Sequence, residues 1–257
     1  MPHARQMDLT DVFNEAHANP PSPTTTAVWR EAMGEEYPEG VDPYSWVSRT
    51  ELAAMREVVL ATGNRLADVG CGRGGPGLWV AAATGAHLVG VDIAQTGVDA
   101  ATDTARRLGV DASFMLGSFE DLPLGDAGVD VVMSIDAFLF TPDKQAALAE
   151  VARVIRPGGR LVMTSWDYHS QPDNRPPQVD DHRPLLETAG FEVERYDDTE
   201  DWLARQRATT AGMLARIEEI AAEEAADPDE IREGIEAMDL TFDDMTRRFL
   251  VVARRTA

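Results

Sequence analysis

A mixed α/β fold built on a mostly parallel sheet is predicted by three observations. Apolar runs of strand length recur between segments of helical period, a glycine-rich turn closes the first of those runs, and 257 residues with 44% hydrophobic content suffice for one such domain with elaborations. Parallel strands require this alternation, because each needs a crossover long enough to carry the chain back across the sheet.

The first strand covers residues 65–69 and runs into Gly70-Cys71-Gly72-Arg73-Gly74-Gly75, after which a short helix from Pro76 places Leu78, Trp79, Ala82 and Ala83 on or near a buried face. The second strand, 87–91, ends on Asp92; Val98, Ala101, Ala105 and Leu108 then mark one stripe of a helix that Gly109 stops. Strand three is 112–116, and strand four, 129–134, follows the turn residues Gly125, Asp126 and Gly128. A helix over 143–155 has Leu148, Val151, Ala152 and Ile155 on one face, and Pro157-Gly158-Gly159 ends it ahead of strand five at 160–165. Residues 170–181, rich in Pro, Asp, Asn and Gln, read as a loop long enough to act as a lid. A short helix at 182–188, strand six at 191–196, helical stretches at 199–226 and 229–238, and a last strand at 247–253 complete the order. Residues 1–44 carry no strand signal, only helical stretches near 9–18 and 27–35, and are expected to cap the fold.

Charge and cysteine usage narrow the function classes. Asp and Glu number 45 against 23 Lys and Arg, for a formal charge of -22 that repels polyanions, so nucleic acid and anionic membranes are not expected partners. There is no apolar run of membrane-spanning length and no secretory leader pattern in the first 20 residues, so a cytoplasmic location is expected. Cys71 is the sole cysteine, which excludes an intramolecular disulfide and a four-cysteine zinc site; no metal is expected, and Cys71 reads as a small residue between glycines.

Glycines at Gly70, Gly72 and Gly74 let the backbone turn sharply after a strand and approach a ligand closely, as a nucleoside cofactor requires. The string Gly70-x-Gly72-x-x-Gly75, with Asp92 20 residues after Gly72, also fits a dinucleotide fingerprint, so the loop alone leaves NAD and S-adenosylmethionine open. Asp68, two residues before the first glycine, favours the second: a carboxylate there suits a sulfonium or amino group and repels a pyrophosphate.

The chain at this point resembles the class I, Rossmann-like S-adenosylmethionine-dependent methyltransferases, in particular small-molecule enzymes of the ubiquinone/menaquinone and actinobacterial natural-product type. The resemblance covers about residues 44–165 and is carried, in family order, by Leu66-Ala-Asp-Val-Gly-Cys-Gly-Arg-Gly74, Val89-Gly-Val-Asp-Ile93, Gly117-Ser-Phe-Glu-Asp-Leu-Pro123, Val129-Asp-Val-Val-Met-Ser134 and Glu150-Val-Ala-Arg-Val-Ile-Arg-Pro-Gly-Gly159. It implies a seven-stranded mixed sheet with an antiparallel last strand, and S-adenosyl-L-methionine as cofactor with S-adenosyl-L-homocysteine as product. By position it implies that Asp68, Gly70, Gly72 and Gly74 hold the methionine portion and that Asp92 accepts the ribose hydroxyls. Ile93 would pack on adenine, Ser118 and Phe119 would contact its polar edge, and the Ser134 carbonyl would lie near the cofactor amino group. Ser118 departs from the acid common among relatives, and Phe140 from their polar residue or His.

Ligands bind beyond the carboxyl ends of strands in open α/β sheets, which makes His169 the expected base, with Asp167 beside it. Trp29, Tyr37, Tyr44, Phe138, Phe140, Trp166 and Tyr168 are the expected acceptor contacts, suiting an aromatic or apolar small molecule methylated on oxygen or nitrogen. The expected organisation is a cap or lid at 1–44 and a methyltransferase domain at 45–257, in which the insert at 199–240 either roofs the pocket or forms a homodimer seam. A NAD-dependent oxidoreductase and a catalytically inactive cofactor-binding protein are the competing readings.

Overall fold

The first five strands, β1 (Arg65–Val69), β2 (His87–Asp92), β3 (Ala112–Leu116), β4 (Val129–Ile135) and β5 (Ile155–Tyr168), pair in parallel in a computed structural model that describes residues 9–256. β6 (Phe191–Asp198) and β7 (Met245–Arg255) complete one sheet in the order β3-β2-β1-β4-β5-β7-β6, and β7 runs antiparallel to both neighbours. The expected seven-stranded, mostly parallel sheet is therefore present. Its order reverses between β1 and β4, and the carboxyl ends of these two strands open the crevice in which such sheets bind ligands.

Both faces of the sheet are covered, so the central strands are apolar on both sides. Leu66, Met133 and Val162 face a core shared with α3 (Arg49–Thr62) and α4 (Gly75–Thr84). Val69, Val132 and Met163 face the opposite core, where α6 (Lys144–Val154) lies. α5 (Gln95–Leu108) packs on β2 and β3, and α7 (Arg183–Thr188) on β6.

Three elements differ from expectation. α3 has no counterpart in the expected order, although Ser48 Oγ accepts from the Glu51 N–H at 3.0 Å and the Glu51 carboxylate accepts from the Ser48 N–H at 2.8 Å, a capping box legible as Ser-x-x-Glu. β5 begins at Ile155, directly after α6. Pro157-Gly158-Gly159 therefore lies in an irregular stretch of the strand, where Val129 pairs with Ile155 and Val131 with Arg160, and a residue lacking an N–H is tolerated there. The expected helix over 199–226 is two, α8 (Trp202–Ala215) and α9 (Ile217–Glu224), broken at Arg216; α10 (Pro228–Thr241) follows.

Residues before α3 form α1 (Leu9–His17) and α2 (Pro23–Met33), while residues 1–8 of the expected cap lie outside the described residues. α2 packs against α8 and α9, with Arg216 on Glu31 at 2.6 Å and Thr24 on Glu223 at 2.9 Å, so α2 and the insert form one layer, while α1 packs on α5. Among the described residues, no helix is long and apolar enough to cross a membrane.

Candidate cofactor and acceptor site

A cavity of about 310 Å³ opens at the switch point of the sheet. Its floor is the turn after β1 together with Asp92, Ile93, Ser118 and Phe119; its roof is Leu9, Phe13 and His17 from α1, with Tyr44 and Phe140. Two features of the turn are sterically obligatory. Gly70 has φ 73°, and a Cβ there would stand 2.4 Å from the Ala137 methyl; at Gly77, in the first turns of α4, a Cβ would stand 2.4 Å from Asp68 Oδ2.

The Gly77 contact separates the two cofactor readings. A dinucleotide places its pyrophosphate on the amino end of the helix after the glycine turn. Here the Asp68 carboxylate takes the Gly77 N–H at that helix end, so the anion seat is already filled by a negative group. Asp68 is 2% exposed, and burial, with Asp92 adding repulsion, pushes its pKa up to about 7. Such a group gains from a nearby cation. Asp92 Oδ2 accepts from the Gly72 N–H at 2.7 Å and Oδ1 from the Ala94 N–H at 2.9 Å. Each oxygen keeps a further acceptor position, the pattern needed to take two vicinal hydroxyls. The residues therefore fit an adenosyl sulfonium.

Two polar residues of the cavity wall were missed from sequence. His17 ends α1, is 8% exposed, and lies so close to the glycine turn that a Cβ at Gly72 would stand 3.1 Å from its Cε1. Its Nδ1 is buried without a partner, and burial lowers its pKa, against which Asp92 acts to raise it. α1 is tied down on both sides. Arg73 donates to the His17 carbonyl at 2.7 Å, and Thr96 Oγ1 donates to the Asn14 carbonyl at 2.8 Å. Nothing in the sequence near His17 marks it, since the contact joins residues far apart in the chain.

Asp136 follows β4 with φ 53°, an uncommon conformation for a residue with a side chain. Its carboxylate accepts from the Trp46 N–H at 2.9 Å, from Thr164 Oγ1 at 2.7 Å and from Arg248 at 2.9 Å, and Glu51 also pairs with Arg248. Burial raises the Asp136 pKa, and Arg248 opposes that rise. The cluster joins the approach to α3, β4, β5 and β7 beneath the cavity.

Of the expected cofactor residues, Asp68, Gly70, Gly72, Asp92, Ile93, Ser118 and Phe119 line the cavity. Gly74 and Ser134 do not: Gly74 is the left-handed residue that starts α4, and Ser134 is 1% exposed within β4. Among the expected acceptor residues, Tyr44 and Phe140 reach the cavity. Phe138 lies in the core under α6, Trp166 and Tyr168 in an aromatic cluster with Phe242, and Trp29 and Tyr37 pack with Met33 and Trp46, because these large apolar groups close the layers on one another. The expected base needs correction. His169 is exposed at the end of β5, with its N–H on the Asp244 carbonyl. Asp167 is buried on the far side of the strand, accepting from the Tyr196 hydroxyl at 2.9 Å and bonded to His182 Nδ1 at 2.8 Å. Neither lines the cavity, since alternate residues of a strand face opposite sides and Asp167 points under α7.

Residues 67–163 match the family described as "Methyltransferase domain". The chain is 33% identical over 129 residues to methyltransferase GfsG of Streptomyces halstedii, covering 49% of this chain and 46% of that protein. It is 29% identical over 205 residues to sterol 24-C-methyltransferase erg6 of Aspergillus fumigatus, covering 79% and 51%. These matches thus span about half the length of either relative. Among solved structures it is similar to the (4+2)-cyclase SpnF, with a TM-score of 0.73 at 21% identity over 97% of this chain and 95% of that one. The five ordered motifs, the filled anion seat at α4 and the match over residues 67–163 converge on a methyltransferase domain as what this part of the chain is similar to, with the S-adenosylmethionine-dependent, class I, Rossmann-like type as the description of its fold and cofactor.

Proposed function

We propose that the protein transfers a methyl group from S-adenosylmethionine to an oxygen or nitrogen of a small metabolite whose reacting end is neutral. The observation that carries this reading is the cavity itself, in which a glycine turn flanked by Asp68 and Asp92 continues into a wall of Leu9, Phe13, Tyr44 and Phe140. When bound, the cofactor supplies a methyl group on a cationic sulfur; in-line displacement leaves that sulfur neutral and passes the charge to the acceptor, which sheds it as a proton to solvent.

The chain's own residues contribute in three ways. Asp92 and the glycine turn hold the adenosyl group, and Asp68, favoured as the anion once a cation lies near, fixes the positive end. α1 closes over the turn through the Arg73 and Thr96 hydrogen bonds and keeps water from the donor. Phe13 and Phe140, edge to face with centroids 4.9 Å apart, present an apolar surface on which a flat acceptor is oriented. Positioning and water exclusion then supply most of the rate, and no dedicated base is assigned.

Charge narrows the acceptor. Asp42, Asp68, Asp92, Glu120 and Asp136 line the cavity against a single arginine, Arg73, which is itself engaged with Asp42 and His17. A phosphate or diphosphate beside the donor is repelled by this set. Incubation with methyl-labelled S-adenosylmethionine and a panel of phenols, amines and phosphorylated analogues tests the reading: label should pass to unphosphorylated acceptors, and exclusive transfer to phosphorylated ones contradicts it.

A second reading, a cofactor-binding protein that does not transfer methyl groups, is favoured by one observation: neither expected base residue reaches the cavity. Tight binding of the cofactor without its consumption across the panel would select it.

A further inference from the structure

Arg175, in the loop between β5 and α7, is a partly buried cation without a counter-charge. Its guanidinium stands 5.1 Å from the centre of the Phe140 ring, which is itself part of the cavity wall, and its Nε is closed off from solvent with no acceptor. Among the described residues no carboxylate pairs with it; the group acting on it is the Tyr168 hydroxyl, and burial lowers its pKa. Arg248 shows the contrast, since its complete burial is matched by Glu51 and Asp136. In a chain of formal charge -22 carboxylates are not scarce, so their absence here is a property of the site.

Tyr168 faces the same guanidinium. It is 3% exposed, and its buried hydroxyl has the Arg175 guanidinium as its neighbour and no carboxylate or carbonyl partner. A partly buried cation whose one partner is a buried neutral hydroxyl keeps its charge uncompensated, as is expected where an anionic ligand completes the set. The loop holds Arg175 in place. Gln171 Nε2 donates to its carbonyl at 3.0 Å, Gln178 Nε2 donates to the Leu139 carbonyl at 2.8 Å, and Lys144 Nζ donates to the Pro177 carbonyl at 2.7 Å. These bonds pin the loop to the turn that carries Phe140.

We propose that Arg175 and Tyr168 receive a carboxylate on the acceptor, which reaches past the edge of Phe140 while its reacting oxygen or nitrogen stays in the cavity. The guanidinium fork matches a carboxylate in two parallel hydrogen bonds, and one cation with one hydroxyl suits a monocarboxylate, not a diphosphate. The acceptor is thus anionic at the end distant from the donor and neutral at the end beside it. This inference rests on the methyltransferase reading and assigns the far end of the same site.

Binding of 4-hydroxybenzoate and of 4-hydroxybenzyl alcohol, each measured by calorimetry on the full chain saturated with S-adenosylhomocysteine, tests it. The carboxylate should bind roughly tenfold more tightly than the alcohol. Arg175→Gln should erase that preference and Tyr168→Phe reduce it, both with an unchanged dissociation constant for S-adenosylhomocysteine. Equal binding of the two probes, no binding of either, or a preference that survives Arg175→Gln overturns the carboxylate site while leaving the methyltransferase reading intact. Failure of S-adenosylhomocysteine itself to bind the wild-type chain overturns both.

Discussion

Asp68 and Asp92 sit side by side yet answer to different physics. Asp92 is held by two backbone N–H groups, and its replacement by Ala removes charge-assisted bonds; cofactor affinity should fall by about 1–3 kcal/mol. Asp68 is governed by burial and stands near pKa 7. A cation bound beside it favours the anion, so binding should release a proton, and affinity should tighten as pH rises from about 6 to 8. Calorimetry in buffers of different ionisation enthalpy reads that proton directly; no dependence on buffer would remove Asp68 from the cofactor's cationic end. The corrected base has its own check: His169→Ala should leave turnover within about twofold, as for an exposed side chain away from the cavity. Arg248 is a fully buried cation held by two buried carboxylates. Arg248→Met leaves Glu51 and Asp136 buried without their cation and should cost about 3–5 kcal/mol in denaturant unfolding.

At the level of elements, α1 carries a contact that depends on pH. His17 is buried in a form that resists protonation, so its folded pKa lies below the ordinary value of 6.5. The stability it lends is present above that value and is lost as pH falls through it towards the folded pKa, because the released helix then binds the extra proton. Limited proteolysis near Asn19 should therefore speed up between about pH 6.5 and 5, and His17→Phe should remove the step. The strands and their glycine turn were legible because each carries a local pattern: period, apolar length and a turn residue. α3 was missed although its Ser48 and Glu51 box is written in the chain, because its Ala, Arg and Glu content dilutes the apolar stripe. The break at Arg216 was not legible, since an Ala- and Glu-rich run favours helix throughout and the bend arises where α8 and α9 wrap α2.

The whole molecule is a sheet with its expected cofactor end written in sequence and its proposed acceptor end assembled from distant segments. Seven of the nine expected cofactor residues line the cavity, as consecutive residues at strand ends are fixed by the fold. Only Tyr44 and Phe140 of the expected acceptor aromatics do, because an aromatic side chain packs a layer as readily as it lines a pocket, and composition does not separate the two. His17, Asp136 and Arg175 acquire their settings from contacts across the amino-terminal layer, the sheet and the insert. Calorimetric titration of the full chain with S-adenosylhomocysteine at pH 7 tests the central claim most directly. Saturable binding that weakens on Asp92→Ala is the predicted result; no heat of binding, or binding indifferent to that substitution, would contradict it.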